Sequence, residues 1–147
     1  MTLYLEDLAP GQRFTSGVQA MTAEAIKTFA RQFDPQPFHL DEAAAERSFF
    51  KGLVASGWHT AAVTMRLLVE SGMPLANGLI GAGGELTWPL AVRPGDVLTA
   101  ECEVLAVTPS KSRPDRGFVT VRTQTKNQRG EVVQDMTSRM LTWRRPG

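Results

Sequence analysis

Cysteine is nearly absent from this chain. Cys102 is the one thiol in 147 residues, so no disulfide can close within the chain, and a reducing compartment is expected. An excess of one charge is lacking too. Sixteen Lys and Arg against 15 Asp and Glu leave a net charge of +1, without the basic field that nucleic acid binding draws on. No apolar run approaches the roughly 18 residues of a helical membrane span. The opening Met1-Thr2-Leu3-Tyr4-Leu5-Glu6-Asp7 has acids where a secretory leader would carry basic residues, which predicts a cytoplasmic protein. Histidine occurs only at positions 39 and 59, with no matching carboxylate spacing, so no metal site is expected. Internal repeats and low-complexity segments are missing, which predicts one domain over residues 1–147.

What is present is a globular composition, 42% hydrophobic and 21% charged, in a chain long enough to bury a core. A strand is expected from Gln12 to Gln19, after the Pro10-Gly11 turn. Thr22 is a suitable N-cap for a helix whose apolar face is Ile26, Phe29, Ala30 and Phe33. Asp34-Pro35 ends it. Asp41 can cap a short helix through Arg47, and Phe49 and Phe50 are expected in the core. Ser56-Gly57 starts the longest helical pattern, about Trp58 to Ser71. Ala61, Ala62, Met65, Leu68 and Val69 form its broad face, and with Val63 and Leu67 it reads as buried on several sides. From residue 79 the period becomes two. Strands are expected near Leu79–Trp88, around Leu98–Val104, around Val119–Gln124 and, after the Asn127–Gly130 turn, from Glu131 to Trp143. Helices early and strands late predict an α+β fold with one antiparallel sheet.

The most informative stretch is Phe33-Asp34-Pro35-Gln36-Pro37-Phe38-His39. Each proline fixes its own φ and pushes the residue before it toward extended geometry, so a stiff, extended loop is expected. Stiffness suits a general acid/base pair, and Asp34 with His39 supplies a carboxylate and an imidazole that titrates near neutrality.

Asp34-x-Gln36-Pro37-x-His39, followed by Gly52-Leu53-Val54-Ala55-Ser56-Gly57-Trp58, resembles the MaoC-like dehydratases, a family that includes the (R)-specific enoyl-CoA hydratases. Tyr4-Leu5-Glu6-Asp7-Leu8 and Val92-Arg93-Pro94-Gly95-Asp96 extend the resemblance over nearly the whole chain. Gln36 stands where the family has Asn, and Ser56-Gly57-Trp58 where it has His-Gly-Met. The resemblance implies a single hotdog fold, in which a curved antiparallel sheet wraps a long central helix, and a homodimer or higher homo-oligomer. It also implies hydration or dehydration of a 2-enoyl/3-hydroxyacyl-CoA thioester, a substrate rather than a bound cofactor.

In that chemistry Asp34 and His39 activate water and protonate the α-carbon. The Gly57 N–H, at a helix start, is the candidate for stabilising charge on the thioester oxygen. Its lack of a side chain would either permit close approach by substrate or relieve strain at the helix end. Phe38, Ser56 and Trp58 are expected to contact the acyl group, with the bulk of Trp58 shortening its pocket. Lys111 and Arg113, in the proline-rich segment Thr108–Gly117, are candidates for the phosphates of CoA, though a solvated loop also fits them. His59 reads as a hydrogen-bonded packing residue. Three alternatives stay open: an acyl-CoA-binding protein without turnover, a thioesterase using Glu70, and a hydratase of branched or dicarboxylic thioesters.

Overall fold

The computed structural model describes residues 1–147. A short 3-10 turn, Leu5–Asp7, precedes strand β1 (Arg13–Ala20). Helices α1 (Ala23–Phe33), α2 (Pro37–Leu40), α3 (Glu42–Glu46) and α4 (Gly57–Leu67) follow, α4 running into a π-helical turn, Leu68–Gly72. Strands β2 (Ile80–Thr87), β3 (Val97–Pro109), β4 (Arg116–Lys126) and β5 (Val132–Trp143) complete the chain. They form one antiparallel sheet in the order β1-β3-β4-β5-β2. One face of the sheet wraps α4, the hotdog arrangement that the resemblance implies.

Local chemistry accounts for the element ends. The Thr22 hydroxyl accepts from the Ala25 N–H and the Asp41 carboxylate from the Ala44 N–H, capping α1 and α3 as expected. Gly130, at φ 76°, closes the β4–β5 turn with its N–H on the Asn127 carbonyl. The expected extended loop is a correction. Residues 37–40 make one helical turn with Pro37 at its first position, where the missing N–H is not needed and the fixed φ suits a helix. Residues 34–36 stay outside the helices, and Gln36, the residue before that proline, is extended.

The core lies between α4 and the sheet. Leu98, Val104, Val119 and Val121 are wholly buried and pack with Val63, Leu67 and Leu68. Each such side chain is worth about 1.5–3 kcal/mol over leaving it in water. The buried face of α4 differs from expectation. Val63, Thr64, Leu67 and Leu68 turn inward together with His59 and Thr60, whereas Ala62, Met65 and Val69 are exposed. Threonine can occupy the inner face because its hydroxyl finds partners there. Thr64 Oγ1 lies 2.8 Å from the Thr60 carbonyl and 2.6 Å from Thr125 Oγ1 on β4. Two other expected core residues are outside: Phe33 is 69% and Phe49 90% exposed. Phe33 occupies the last position of α1, beyond the sheet, and meets only Phe29 on its own helix among aromatic rings.

The Thr64–Thr125 bond yields a stability test. Thr64→Val strands the Thr125 hydroxyl in the core and is expected to cost about 1–3 kcal/mol in urea unfolding. Thr125→Val, which leaves Thr64 bonded to the Thr60 carbonyl, costs less, and the double variant recovers part of the Thr64→Val loss.

Candidate active site

The proline-flanked turn and the segment leading into α4 meet. The Asp34 N–H closes the last turn of α1 on the Ala30 carbonyl, which sets the carboxylate's direction. His39, buried in α2, places Nδ1 2.7 Å from the Val54 carbonyl oxygen. A carbonyl only accepts, so Nδ1 carries the hydrogen and Nε2 is the nitrogen left to exchange protons. Nε2 stands 3.3 Å from Asp34 Oδ2.

Asp34 is held from three sides. Burial by itself would raise its pKa. Hydrogen bonds from the Ser56 hydroxyl and the Gln36 amide, with His39 beside it, outweigh burial and keep the carboxyl below the usual carboxylate range. The Gln36 amide reaches Asp34 Oδ1 at 2.6 Å, so the longer residue at this position does secure the carboxylate. Because the folded carboxyl titrates below its unfolded value, it stabilises the fold above about pH 4 and loses that contribution as pH falls through the folded pKa.

Ser56 is fully buried, and its hydroxyl also accepts from the Trp58 N–H as the N-cap of α4. It therefore supports Asp34 rather than standing open in the cleft. The Ser56 carbonyl takes the N–H groups of His59 and Thr60, and no acceptor within the chain takes the Gly57 N–H. That donor, at the positive end of the α4 dipole, remains for a ligand.

The cleft is about 410 Å³, lined by nine hydrophobic residues among 14. Asp34, Gln36 and His39 form its polar end, with Phe38, Gly57 and Trp58 beside them. Phe50 also lines it, packed against Phe38 at 5.2 Å between ring centroids. Sequence reasoning missed Thr60, Trp88 and Val133 in its wall. Trp88 had one signal: it directly follows β2 and precedes Pro89, and the apolar run that follows has no regular period and so needs a surface to pack on. The Trp88 ring explains Gly57. A Cβ at residue 57 would stand 2.5 to 2.8 Å from three of its atoms, and Gly57 is not in the positive-φ region. Close approach of Trp88, not strain at the helix end, excludes a side chain there.

Other expected residues lie elsewhere. Lys111 and Arg113 occupy the β3–β4 hairpin beyond the Pro109–Gly117 pair, at the sheet end where Arg116 pairs with Trp143. Val133, in the cleft wall, starts β5 ten residues earlier, roughly 33 Å along the strand. The two cations are therefore not brought to the cleft of their own chain. His59 is buried and stacked on Phe29 at 4.7 Å, but its Nδ1 has no partner, so it packs without the expected hydrogen bond there. Burial pushes its pKa down. Glu70 is exposed and paired with Arg66 at 2.9 Å, about 20 Å along the helix from Gly57. No cluster of three or more His, Cys, Asp or Glu is placed to hold a metal, and no helix is long and apolar enough to cross a membrane.

A helix-cored antiparallel sheet with a half-buried Asp34 against a buried His39 facing an apolar cleft, and a free helix-start amide, defines an acid/base site for an apolar substrate with a polar reacting group. The chain belongs to the MaoC-like domain family, whose model matches residues 8–128. The crystal structure of a MaoC-like dehydratase from Rhodospirillum rubrum superposes with a TM-score of 0.97 and 64% identity, covering 99% of both chains. An (R)-specific enoyl-CoA hydratase of Aeromonas caviae is 31% identical over 128 residues, 87% of this chain and 90% of that protein. YdeM of Bacillus subtilis (strain 168), which has no assigned activity, is 32% identical over 126 residues, 85% of this chain and 88% of that one.

Ser56→Ala is expected to move the Asp34 carboxyl titration upward in carbon NMR, because burial then has less opposing it. The same change removes the α4 cap and lowers stability by about 0.5–2 kcal/mol in urea unfolding.

Proposed function

We propose that this protein adds water to a 2-enoyl thioester, or removes it from the 3-hydroxyacyl thioester, with Asp34 and His39 as one acid/base unit. The observation that carries the reading is Nε2 of His39 facing Asp34 at 3.3 Å, with Nδ1 tied to the Val54 carbonyl. A water held against both groups gives its hydroxyl oxygen to the β-carbon and a proton to the pair. The pair returns a proton to the α-carbon, so one enters and one leaves, and the unit is regenerated. The thioester oxygen, which gains charge as the bond to the β-carbon forms, receives the Gly57 N–H and the α4 dipole. Proton positions on a coupled pair belong to the pair, and neither residue has a separable constant role. Family membership and the relatives' activities support the same chemistry.

The acyl group lies in the apolar part of the cleft, between Phe38 and Val133, and the edge-on Trp58–Trp88 pair limits its length. A CoA ester is one such thioester, and no separate cofactor takes part.

The protein works as a homodimer. The edge strand β2 has no partner on its outer side and is exposed along nearly its whole length. From Trp58, which meets Trp88 just past β2, an exposed apolar stripe at helical spacing runs through Ala62 and Met65 of α4 to Val69 in the π-helical turn. A second copy related by a two-fold axis would continue the sheet and cover the stripe, removing an edge that otherwise invites aggregation.

The test follows loss of enoyl absorbance from crotonyl-CoA. Asp34→Asn and His39→Ala, both folded, are expected to lose roughly 10²- to 10⁴-fold in kcat; turnover indifferent to both changes would defeat the mechanism. Across a series of acyl lengths, Trp58→Ala is expected to favour longer chains relative to wild type, and an unchanged preference would remove the length-limiting role. In sedimentation velocity the wild type is expected to be a dimer and Met65→Glu/Val69→Lys a monomer. A monomeric wild type would count against the shared interface.

A further inference from the structure

The cleft reading leaves the thioester's carrier without a binding site, since Lys111 and Arg113 are at the far end of the sheet. Two other cations directly follow residues that line the cleft. Phe50 and Val92 line it, and Lys51 and Arg93 are their immediate neighbours in the chain. Half of the 16 basic residues are neutralised by acids of the same chain, as Arg13 is by Glu103, Arg122 by Asp135 and Arg145 by Asp7. Lys51 and Arg93 have no such carboxylate. Asp96, near Arg93 in sequence, takes its backbone N–H and the side chains of Gln128 and Arg129 instead.

The Arg93 side chain and the Lys51 backbone are held in place. Arg93 Nη2 donates to the Phe50 carbonyl at 2.6 Å, which aims the guanidinium and leaves Nε and Nη1 free. Its Nη1 would lie 3.0 Å from a Cβ on residue 52, so Gly52 makes room for it. Lys51 has φ 59°, the left-handed region that a lysine rarely occupies. Its N–H bonds the Ser48 carbonyl and the Gly52 N–H bonds the Ala45 carbonyl, tying the turn to α3. A strained backbone kept at the rim of a site is commonly kept for what its side chain does there.

We propose that Arg93 and Lys51 form the rim site that receives a phosphate of the thioester's carrier. The proposal rests on the cleft being a thioester site. The pantetheine arm carries its phosphate well away from the thioester, outside the apolar cleft. A guanidinium with one donor already fixed loses little freedom when it binds the anion. Acyl-CoA and an acylated carrier protein share this phosphopantetheine chemistry, and the choice of thioester separates them.

The experiment measures KM for crotonyl esters of CoA, phosphopantetheine and N-acetylcysteamine, the last lacking phosphate, with wild type, Arg93→Ala and Lys51→Gly. The glycine removes the charge while relieving the backbone, so loss of folding is not its expected effect. Each variant is expected to raise KM roughly tenfold on the phosphate-bearing esters and leave N-acetylcysteamine turnover unchanged. A rise with CoA alone assigns the rim to the nucleotide phosphates, and so to CoA as carrier. A rise with CoA and phosphopantetheine alike assigns it to the phosphate that CoA and a carrier protein share. An equal loss on all three esters, or none on any, overturns the proposal. So does a phosphate-dependent loss produced by Lys111→Ala/Arg113→Ala and not by the rim variants. Wild type inactive on every ester would defeat the cleft reading instead; calorimetric titration of CoA into wild type and Arg93→Ala then decides the rim, equal affinity counting against it.

Discussion

The hydrogen bond from His39 Nδ1 to the Val54 carbonyl is the constraint on which the site depends. It fixes the tautomer, and through the tautomer it decides which ring nitrogen meets Asp34. Without it the imidazole could present either nitrogen, and a proton shared with the carboxylate would have no defined direction. The Val54 carbonyl is available because residues 53–56 run buried but irregular between α3 and α4, so their backbone groups must bond outside a helix or a sheet ladder. The Ala55 N–H goes to the Val92 carbonyl and the Val54 N–H to the Phe38 carbonyl. Satisfying this segment's backbone therefore binds together α2, the cleft wall and the start of α4.

Ser56 connects that backbone requirement to electrostatics. The hydroxyl that caps α4 also helps keep Asp34 ionised, so the start of the helix and the state of the carboxylate are linked through one buried atom. The first turn of α4 is where the unbonded Gly57 N–H lies, which makes the proton-transfer pair and the candidate oxyanion donor parts of a single junction. An Asp–His pair in a surface loop would have neither the fixed tautomer nor this donor beside it.

Packing around the junction is close on one side and incomplete on another. Trp88 presses on Gly57, and its indole N–H is secured by Gln134 Oε1 at 3.0 Å. Gln134 is fully buried, yet its Nε2 has no partner, a cost that cores usually avoid. The amide retains it because the indole can only donate, so the oxygen must face Trp88 and the nitrogen must face away. The outer side of the same region, from Trp58 along α4 to Val69 and across β2, is apolar and uncovered. The cleft wall and the proposed dimer surface thus share residues, and association would rigidify the wall that bounds the acyl group.

The amino-acid order alone determined most of the elements and marked the candidate pair. Period-two and helical patterns depend on neighbouring residues, and so do the Thr22 and Asp41 caps and the Asn127–Gly130 turn; these need no knowledge of distant contacts. The spacing of Asp34 and His39 around two prolines marked them as candidates, although Pro37 starts a helical turn there instead of prolonging a loop. What only the tertiary structure decided were the choices between physically equal faces and ends. Helix α4 is apolar nearly all round, and its buried side was set by Thr125 reaching Thr64 across 61 residues of sequence. Phe50 reached the cleft while Phe49 beside it did not. Cations at 111 and 113 look no different in sequence from those at 51 and 93, yet sheet register sends the first pair far from the cleft while Arg93 is tied to the carbonyl of cleft-lining Phe50. Each of these outcomes follows from which distant atoms meet, and that is fixed only when the sheet closes around the helix.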